Sequence, residues 1–244
     1  MYHFFIEPQQ VQGQQILITG PDVVHMRNVL RMKAGEEVSV SDGRGRTYVC
    51  KVERVESEQV ALYIQETEEI STEPGVSVTL YQGLPKGDKM ELIVQKGVEL
   101  GVARIVPVVT RRTIVKLDEK KAAARVSRWN GIARSAAEQS GRWMVPEVAA
   151  VCSFAQAVEE AGELDQVVIP YELAQDMAKT REILGSVRKG QSVGIFIGPE
   201  GGFDEAEVEQ VIRRGGRPIT LGRRILRTET AGMAVLAMLT FLLE

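Results

Sequence analysis

Cysteine and histidine are scarce in this chain of 244 residues, which contains two of each. Cys50 and Cys152 lie far apart and match no metal-binding spacing, so we expect reduced thiols and no metal. Because His3 and His25 are the only histidines, neither a Ser-His-Asp hydrolase nor a zinc hydrolase is expected.

Long apolar runs are also missing. The longest strongly apolar segment, residues 231–243, is too short to span a bilayer. The first residues show neither the basic start nor the apolar run of a signal peptide. The sequence therefore predicts a cytoplasmic globular protein that does not contact membranes.

The common phosphate-binding motifs do not occur. No GxxxxGK[ST] sequence is present, and no GxGxxG follows a predicted strand. A P-loop enzyme, a dinucleotide-binding fold and the common nucleotide-fold methyltransferase are therefore not expected.

The net charge of −3 conceals an uneven distribution. Residues 56–73 contain six acidic residues and no basic one, whereas residues 104–142 contain ten Lys or Arg against three Asp or Glu. A locally basic segment attracts a polyanion such as RNA, although a solvated helix face is an equally good interpretation.

The first seventy residues are typical of a small β-rich unit. Residues 38–41, 47–55 and 59–64 have strand patterns, and a turn signal at 42–45 joins the first two. Pro21 begins a predicted short helix that ends near residue 30. An acidic segment, residues 66–75, is the predicted linker.

After the linker, strand and helix patterns alternate. Predicted strands at 76–81, 105–109, 167–170, 193–197 and 218–220 alternate with predicted helices at 89–100, 120–140 and 204–214. Such alternation predicts an α/β fold, with a parallel sheet covered by helices on both faces.

Two glycine-bearing loops follow predicted strands near the C-terminus. The first loop is Ile-Gly-Pro-Glu-Gly-Gly-Phe, residues 197–203, and the second is Leu-Gly-Arg-Arg-Ile-Leu-Arg-Thr-Glu-Thr-Ala, residues 221–231. Open α/β sheets bind ligands beyond the carboxyl ends of their strands. Glycine lets backbone atoms approach a ligand closely, and Leu221, Ile225 and Leu226 are suited to the faces of an adenine ring. Either loop alone is equally well explained as a structural turn.

The predicted last helix, residues 228–243, has almost no polar face. A helix that is apolar all round must be buried on more than one side. Its own sheet covers one side, so a second copy of the chain is a natural partner for the other. A central helix in a monomer is the alternative.

Together with the two loops, further motifs give the chain a specific resemblance. They are residues 25–31, Lys86-Gly87-Asp88-Lys89, Glu99-Leu100-Gly101 and residues 137–142. The chain resembles the RsmE family, the 16S ribosomal RNA uridine-N3 methyltransferases of the SPOUT (α/β-knot) superfamily. Family members usually begin with an arginine before an aromatic pair, where this chain has Tyr2-His3. A role of that arginine is therefore not carried over.

The resemblance implies a PUA-like, RNA-binding β-barrel at residues 1–72 and a SPOUT methyltransferase domain with a deep trefoil knot at residues 73–244. It also implies a homodimer formed through the C-terminal helix. The implied cofactor is S-adenosylmethionine, bound by the knot loops. Its site would comprise Ile169, Pro170, Gly198, Pro199, Glu200, Gly202, Leu221, Gly222, Ile225 and Leu226.

For the reaction implied by the resemblance, the target uridine N3 must lose its proton. We expect Arg227 to stabilise the resulting anion, and Glu229 or Glu200 to accept the proton or position the base. A salt bridge from Arg227 to either glutamate, which would merely fix the loop, is the alternative.

The expected RNA partner is 16S rRNA or the assembled small subunit, during its maturation. Its predicted contacts are Arg31, Arg111, Arg112 and Arg142. Two rival functions stay open: an RNA-binding assembly module without catalysis, and a knotted methyltransferase that modifies another atom, such as a ribose hydroxyl of transfer RNA.

Overall fold

A computed structural model describes residues 1–43, 45–68 and 72–243, which form two compact units. The first unit contains Met1–Glu73 and Ala137–Val145, and the second contains Pro74–Ala136 and Pro146–Glu244. The centre of the predicted linker, residues 69–71, lies outside the described residues. On either side of it, the last strand of the first unit continues to Glu68, and the second unit begins at Pro74.

The first unit is built on a six-stranded sheet in the order β1-β4-β5-β6-β3-β2. Its strands are β1 (Tyr2–Phe5), β2 (Val11–Gln12), β3 (Gln15–Thr19), β4 (Glu37–Ser41), β5 (Thr47–Val55) and β6 (Gln59–Glu68). The pair β1–β4 is parallel and the others are antiparallel. The sheet forms because alternate residues such as Val38, Val40 and Leu62 point to one apolar core, where each is fully buried. A short helix α1 (Pro21–Val24) continues as a π-helical turn (His25–Val29).

The second unit contains a sheet in which every pair of strands is parallel. Its strands are β7 (Ser77–Gly83), β8 (Arg104–Val109), β9 (Glu147–Val148), β10 (Cys152–Ser153), β11 (Gln166–Pro170), β12 (Ser192–Ile197) and β13 (Arg217–Ile219). Their order is β10-β8-β7-β12-β11-β13, and β9 pairs with β8. The predicted parallel sheet is confirmed.

Helices cover both faces of this sheet, as predicted. They are α2 (Lys89–Glu99), α3 (Glu119–Ser140), α4 (Phe154–Ala161), α5 (Met177–Gly185), α6 (Glu205–Arg213) and α7 (Thr228–Leu243). On one face, Tyr81 and Phe196 stack with ring centroids 4.6 Å apart and belong to the same core as Phe154 of α4 and Val208 of α6. On the other face, α7 packs against β12 and α2.

The strand order determines where the loops emerge. Four neighbouring parallel strands, β7, β12, β11 and β13, end at the same edge of the sheet. The first loop follows β12 and the second loop follows β13. Their strands are not direct neighbours, because β11 lies between them and contributes its own end, Ile169–Pro170.

Candidate active site

The first loop is compact because it contains glycine where a side chain would not fit. A Cβ on Gly198 would lie 2.8 Å from the carbonyl carbon of Gly202, and Gly202 itself has a φ of +67°. The amide of Gly202 donates to the carbonyl of Pro199 at 2.9 Å. Gly83, at the end of β7, lets the proline approach, since a Cβ there would lie 2.6 Å from Pro199 Cδ. The loop therefore folds back on itself over the end of β7.

Glu200 fixes this loop to the segment that follows β7. Its Oε1 accepts hydrogen bonds from Lys89 Nζ at 2.7 Å and from the backbone amide of Lys86 at 3.0 Å. Desolvation opposes ionisation, but the hydrogen bonds from Lys89 and from backbone amides outweigh it and lower the pKa of Glu200. The motif at residues 86–89 thus contacts the first loop directly.

Arg111 and Arg112 hold the opposite side of the first loop. Arg112 Nη1 donates to the Gly201 carbonyl at 2.8 Å, and Arg111 Nη1 pairs with Asp204 Oδ1 at 2.9 Å. The carboxylate of Glu207, only 2% exposed, accepts from the backbone amides of Arg111 at 2.8 Å and Asp204 at 2.9 Å. Both arginines are exposed, so contact with RNA stays a prediction for them, beside a structural role that the sequence did not suggest.

The second loop is anchored at its start and open in its middle. Thr220 donates its backbone amide to Thr180 Oγ1 of α5 at 3.0 Å, and Gly222 donates to Thr220 Oγ1 at 3.3 Å. Gly222 has a φ of +98°, a conformation that glycine adopts without strain. Beyond it, Ile225 is 87% exposed, whereas Leu226 is half-buried. Apolar groups of this loop are therefore available to a flat ligand.

The two loops are joined by Thr228, the first residue of α7. Its hydroxyl donates to the Gly198 carbonyl at 2.6 Å and accepts from Gln82 Nε2 at 2.9 Å. The end of β11 lies beneath: Pro170 is in register with Ile219 of β13, and the Tyr171 amide donates to the Ile219 carbonyl. Ile169 is fully buried in the core, so its side chain is not available to a ligand.

Arg227 is exposed, and within the described part of the chain it forms no ion pair. The salt bridge to Glu200 or Glu229, considered as an alternative role, is therefore not formed, and Glu200 pairs with Lys89 instead. Glu229 lies in the first turn of α7, where its Oε2 is closed to solvent and has no hydrogen-bond partner. Among the described residues, the site thus contains a cation without an ion-pair partner and, two residues further along the chain, a carboxylate oxygen without a hydrogen-bond donor.

The remaining predicted RNA contacts lie in the first unit and differ in exposure. Arg31 is exposed and adopts a φ of +54°, which is rare for a residue with a side chain. Arg142 is only 4% exposed, and its guanidinium pairs with Glu73, with Nε 3.2 Å from Oε1. Burial leaves Arg142 no surface for an RNA phosphate, so the structure gives it a different role, inside the first unit.

Sequence reasoning did not assign Gln82, Thr180 or Glu207 to this edge, and it named Lys89 only as part of the motif at residues 86–89. Each of these four side chains contacts a residue that is distant in the sequence. Among the residues described, no helix is long and apolar enough to cross a bilayer, and no group of three or more metal-ligating side chains occurs.

Comparison with known proteins identifies the class of protein to which this chain belongs. A family model of the RNA methyltransferase domain matches residues 72–240, and a model of the RNA methyltransferase PUA domain matches residues 18–63. The second region lies within the first unit and contains β4, β5 and parts of β3 and β6.

Individual relatives define the family more narrowly. The "Ribosomal RNA small subunit methyltransferase E" of Bacillus subtilis is 39% identical, covering 100% of this chain and 98% of that protein. Its Synechocystis counterpart is 30% identical, covering 100% and 78%. This chain belongs to the ribosomal RNA small subunit methyltransferase E family.

Solved structures agree with this assignment. The Neisseria gonorrhoeae member, solved bound to S-adenosylmethionine, has a TM-score of 0.84 and 33% identity, covering 97% of this chain and 95% of its own. A methyltransferase from Legionella pneumophila, also solved with this cofactor, has a TM-score of 0.85 and 32% identity, covering 98% and 96%.

Proposed function

We propose that this protein transfers a methyl group from S-adenosylmethionine to N3 of a uridine in the decoding region of 16S rRNA. One observation carries the proposal: two glycine loops meet at the carboxyl edge of a parallel sheet and are joined there by the Thr228–Gly198 bond. The family membership of the chain supports the choice of reaction and RNA.

The residues of this edge fit the proposed donor. A Cβ on Gly202 or Gly222 would lie in open space, so a ligand can approach their backbone groups closely, and Leu221, Ile225 and Leu226 supply apolar surface for an adenine ring. Pro199 and Pro170 stiffen the two neighbouring segments, which lowers the entropy lost on binding. Bound there, S-adenosylmethionine supplies an electrophilic methyl group.

The protein must then hold the base and remove its proton. Exposed and unpaired, Arg227 is available to stabilise negative charge on a carbonyl oxygen of the uridine, as donors do in an oxyanion hole. The hydrogen bond from Lys89 helps to lower the pKa of Glu200 and makes Glu200 a weaker base than an ordinary glutamate, so we favour Glu229 as the proton acceptor. Oε2 of Glu229 accepts no hydrogen bond from the described residues.

RNA capture is assigned to Arg31 in the first unit and to Arg111 and Arg112 in the second. The target base must be unpaired or flipped, because N3 is engaged in a duplex. We further propose a homodimer formed through α7, in which Phe241, 86% exposed, is covered by the second copy. We also propose a cytoplasmic location, because the proposed substrate is ribosomal RNA.

Methylation of unmodified rRNA tests this function. Purified protein is incubated with S-adenosylmethionine and either 16S rRNA or small subunits, and the product is mapped by primer extension. Because an N3 methyl group blocks base pairing, we expect a single donor-dependent stop at a uridine. An RNA that is bound but not methylated would instead favour the assembly-module function, and a methylated ribose would favour the other rival.

A further inference from the structure

The side chains of Gln82 and Thr228, both buried, form a continuous hydrogen-bonded chain with the Gly198 carbonyl at the end of β7. Gln82 Nε2 donates to Thr228 Oγ1 at 2.9 Å, and the Thr228 hydroxyl donates to the Gly198 carbonyl at 2.6 Å. Gln82 Nε2 also donates to the carbonyl of Gly83 at 3.0 Å. One end of this series of hydrogen bonds is therefore fixed to the sheet, and the other end is fixed to the first loop.

The amide of Gln82 is an unfavourable choice for folding alone. Its side chain is fully buried, and its Oε1 has no hydrogen-bond partner. A buried acceptor without a donor is costly, and apolar side chains of similar volume avoid that cost. The donor half of the amide is used completely, on Thr228 and Gly83. What the amide provides at this position is thus control of the Thr228 hydroxyl.

The direction of that control follows from hydrogen-bond polarity. A threonine hydroxyl has one proton, which it can give to only one acceptor. Because Gln82 offers N–H groups, the Thr228 oxygen acts as acceptor towards it, and the hydroxyl proton is directed to Gly198. A glutamate at position 82 would compete for the same proton.

We propose that Gln82 and Thr228 are positioning residues for methyl transfer, which set the separation of the two loops through the Gly198 carbonyl. Within the described part of the chain, the Thr228–Gly198 bond is the one hydrogen bond that joins residues 197–203 to residues 221–231. The inference rests on the proposed placement of the donor between these loops. Losing this bond lets the loops separate, while the strands beneath stay paired.

The test compares four variants by calorimetric titration with S-adenosylmethionine. Thr228→Val keeps the side-chain shape but removes the hydroxyl, and Thr228→Ser keeps the hydroxyl. We expect the valine variant to bind the donor about tenfold more weakly and the serine variant within about threefold of wild type. Gln82→Glu should weaken donor binding as much as Thr228→Val does. The double variant that combines these two changes should bind the donor no more weakly than either single variant, since both changes break the same series of hydrogen bonds.

Thr240→Val is the matched control. Thr240 lies on the same helix and donates its hydroxyl to a backbone carbonyl, that of Leu100, at 3.4 Å, but it is remote from both loops. We expect its donor affinity to equal that of wild type. Thermal unfolding without donor is measured for every variant, to separate loop positioning from loss of the fold. For Thr228→Val, we expect the unfolding midpoint to stay within the range of the control and the donor affinity to fall outside it.

Any of three results would overturn the inference. Thr228→Val could bind the donor as wild type does, Thr228→Val and Thr240→Val could lose equal donor affinity, or Thr228→Ser could fail to restore it. Gly198→Ala distinguishes this result from failure of the proposed donor site, because its Cβ would meet Gly202 at 2.8 Å. If Gly198→Ala loses the donor but Thr228→Val keeps it, only the positioning role is wrong. If Gly198→Ala also keeps it, the donor site itself is misplaced.

Discussion

Glu200 shows how a side chain in a predicted ligand loop can hold that loop in place. Its carboxylate accepts from Lys89 Nζ and from the Lys86 amide, so it ties the first loop to the segment after β7. The lowered pKa of Glu200 is the electrostatic consequence of that attachment. The attachment stabilises the folded protein when Glu200 is ionised.

The attachment predicts a pH-dependent stability difference between wild type and Glu200→Gln. Since the pKa of Glu200 is lower in the folded state than its ordinary value of 4.5, its contribution is fully present above about pH 4.5. It is lost as the pH falls through the folded-state pKa. Thermal unfolding midpoints should therefore differ near neutral pH and converge in acid. A difference that persists unchanged at pH 3 would exclude the ion pair as its cause.

Arg227→Ala should reduce turnover far more than donor affinity. If Arg227 stabilises charge that develops only during the reaction, its loss should lower kcat by about 10²-fold and leave the donor Kd within about threefold. Rapid-quench methylation assays and calorimetry provide the two measurements. Arg213→Ala, which removes an exposed arginine paired with Glu209 on α6, is the control and should change neither. Equal losses of turnover and affinity in Arg227→Ala would indicate a structural role.

The glycines of the site were predictable from sequence because their signal is local. Gly198, Gly202 and Gly222 lie in short motifs directly after strand patterns, and the structure places them in turns that require glycine. Lys89 was named only as part of the motif at residues 86–89, and Gln82 gave no signal. Their partners Glu200 and Thr228 lie 111 and 146 residues away, and only the folded sheet brings them together.

At the scale of elements, long periodic segments were predicted well. The helix predicted at 204–214 is α6, which begins with a capping box of Asp204 and Glu207, and the apolar helix predicted at 228–243 is α7, Thr228–Leu243. Short elements were missed, among them α4, α5 and the strands β1 to β3. A local signal for α4 was available, because Ser153 and Gln156 form a capping box. By contrast, β2 has only two residues and no period to detect.

Two Gly→Ala variants should have opposite effects on stability, because only one of the two glycines lies in a close contact. Gly83→Ala should destabilise the protein by about 1–3 kcal/mol, because the new Cβ would lie 2.6 Å from Pro199 Cδ. Gly131→Ala should stabilise it by about 0.5–1 kcal/mol, since Gly131 is an exposed position of α3 with open space around its Cβ. Urea unfolding measures both. Equal effects of the two changes would contradict the predicted close approach.

At the scale of the whole chain, alternation of strand and helix patterns was sufficient for the parallel sheet. The extent of the first unit was not predictable, because residues 137–145 belong to it although they follow most of α3. The reason lies in specific contacts: Arg142 pairs with Glu73, and Ser41 Oγ donates to the Trp143 carbonyl. The threading that would make a knot stays a prediction, since strand patterns do not determine the path of the chain.

The exposed apolar end of α7 predicts a dimer that a single charge disrupts. Phe241→Glu should shift the protein from dimer to monomer, because a carboxylate buried in an apolar interface is costly. Sedimentation velocity reports the change. Ile114→Glu is the control, since Ile114 is 67% exposed but lies in the loop after β8, so its variant should stay dimeric. A monomeric wild-type protein would contradict the proposed dimer.

The most direct measurement is a crystal structure of the protein soaked with S-adenosylmethionine. The donor should lie between residues 197–203 and 221–227, with its adenine against Leu226 and its methyl group directed towards Arg227. Density for the donor at any other place, or a second loop that makes no contact with it, would contradict the central claim.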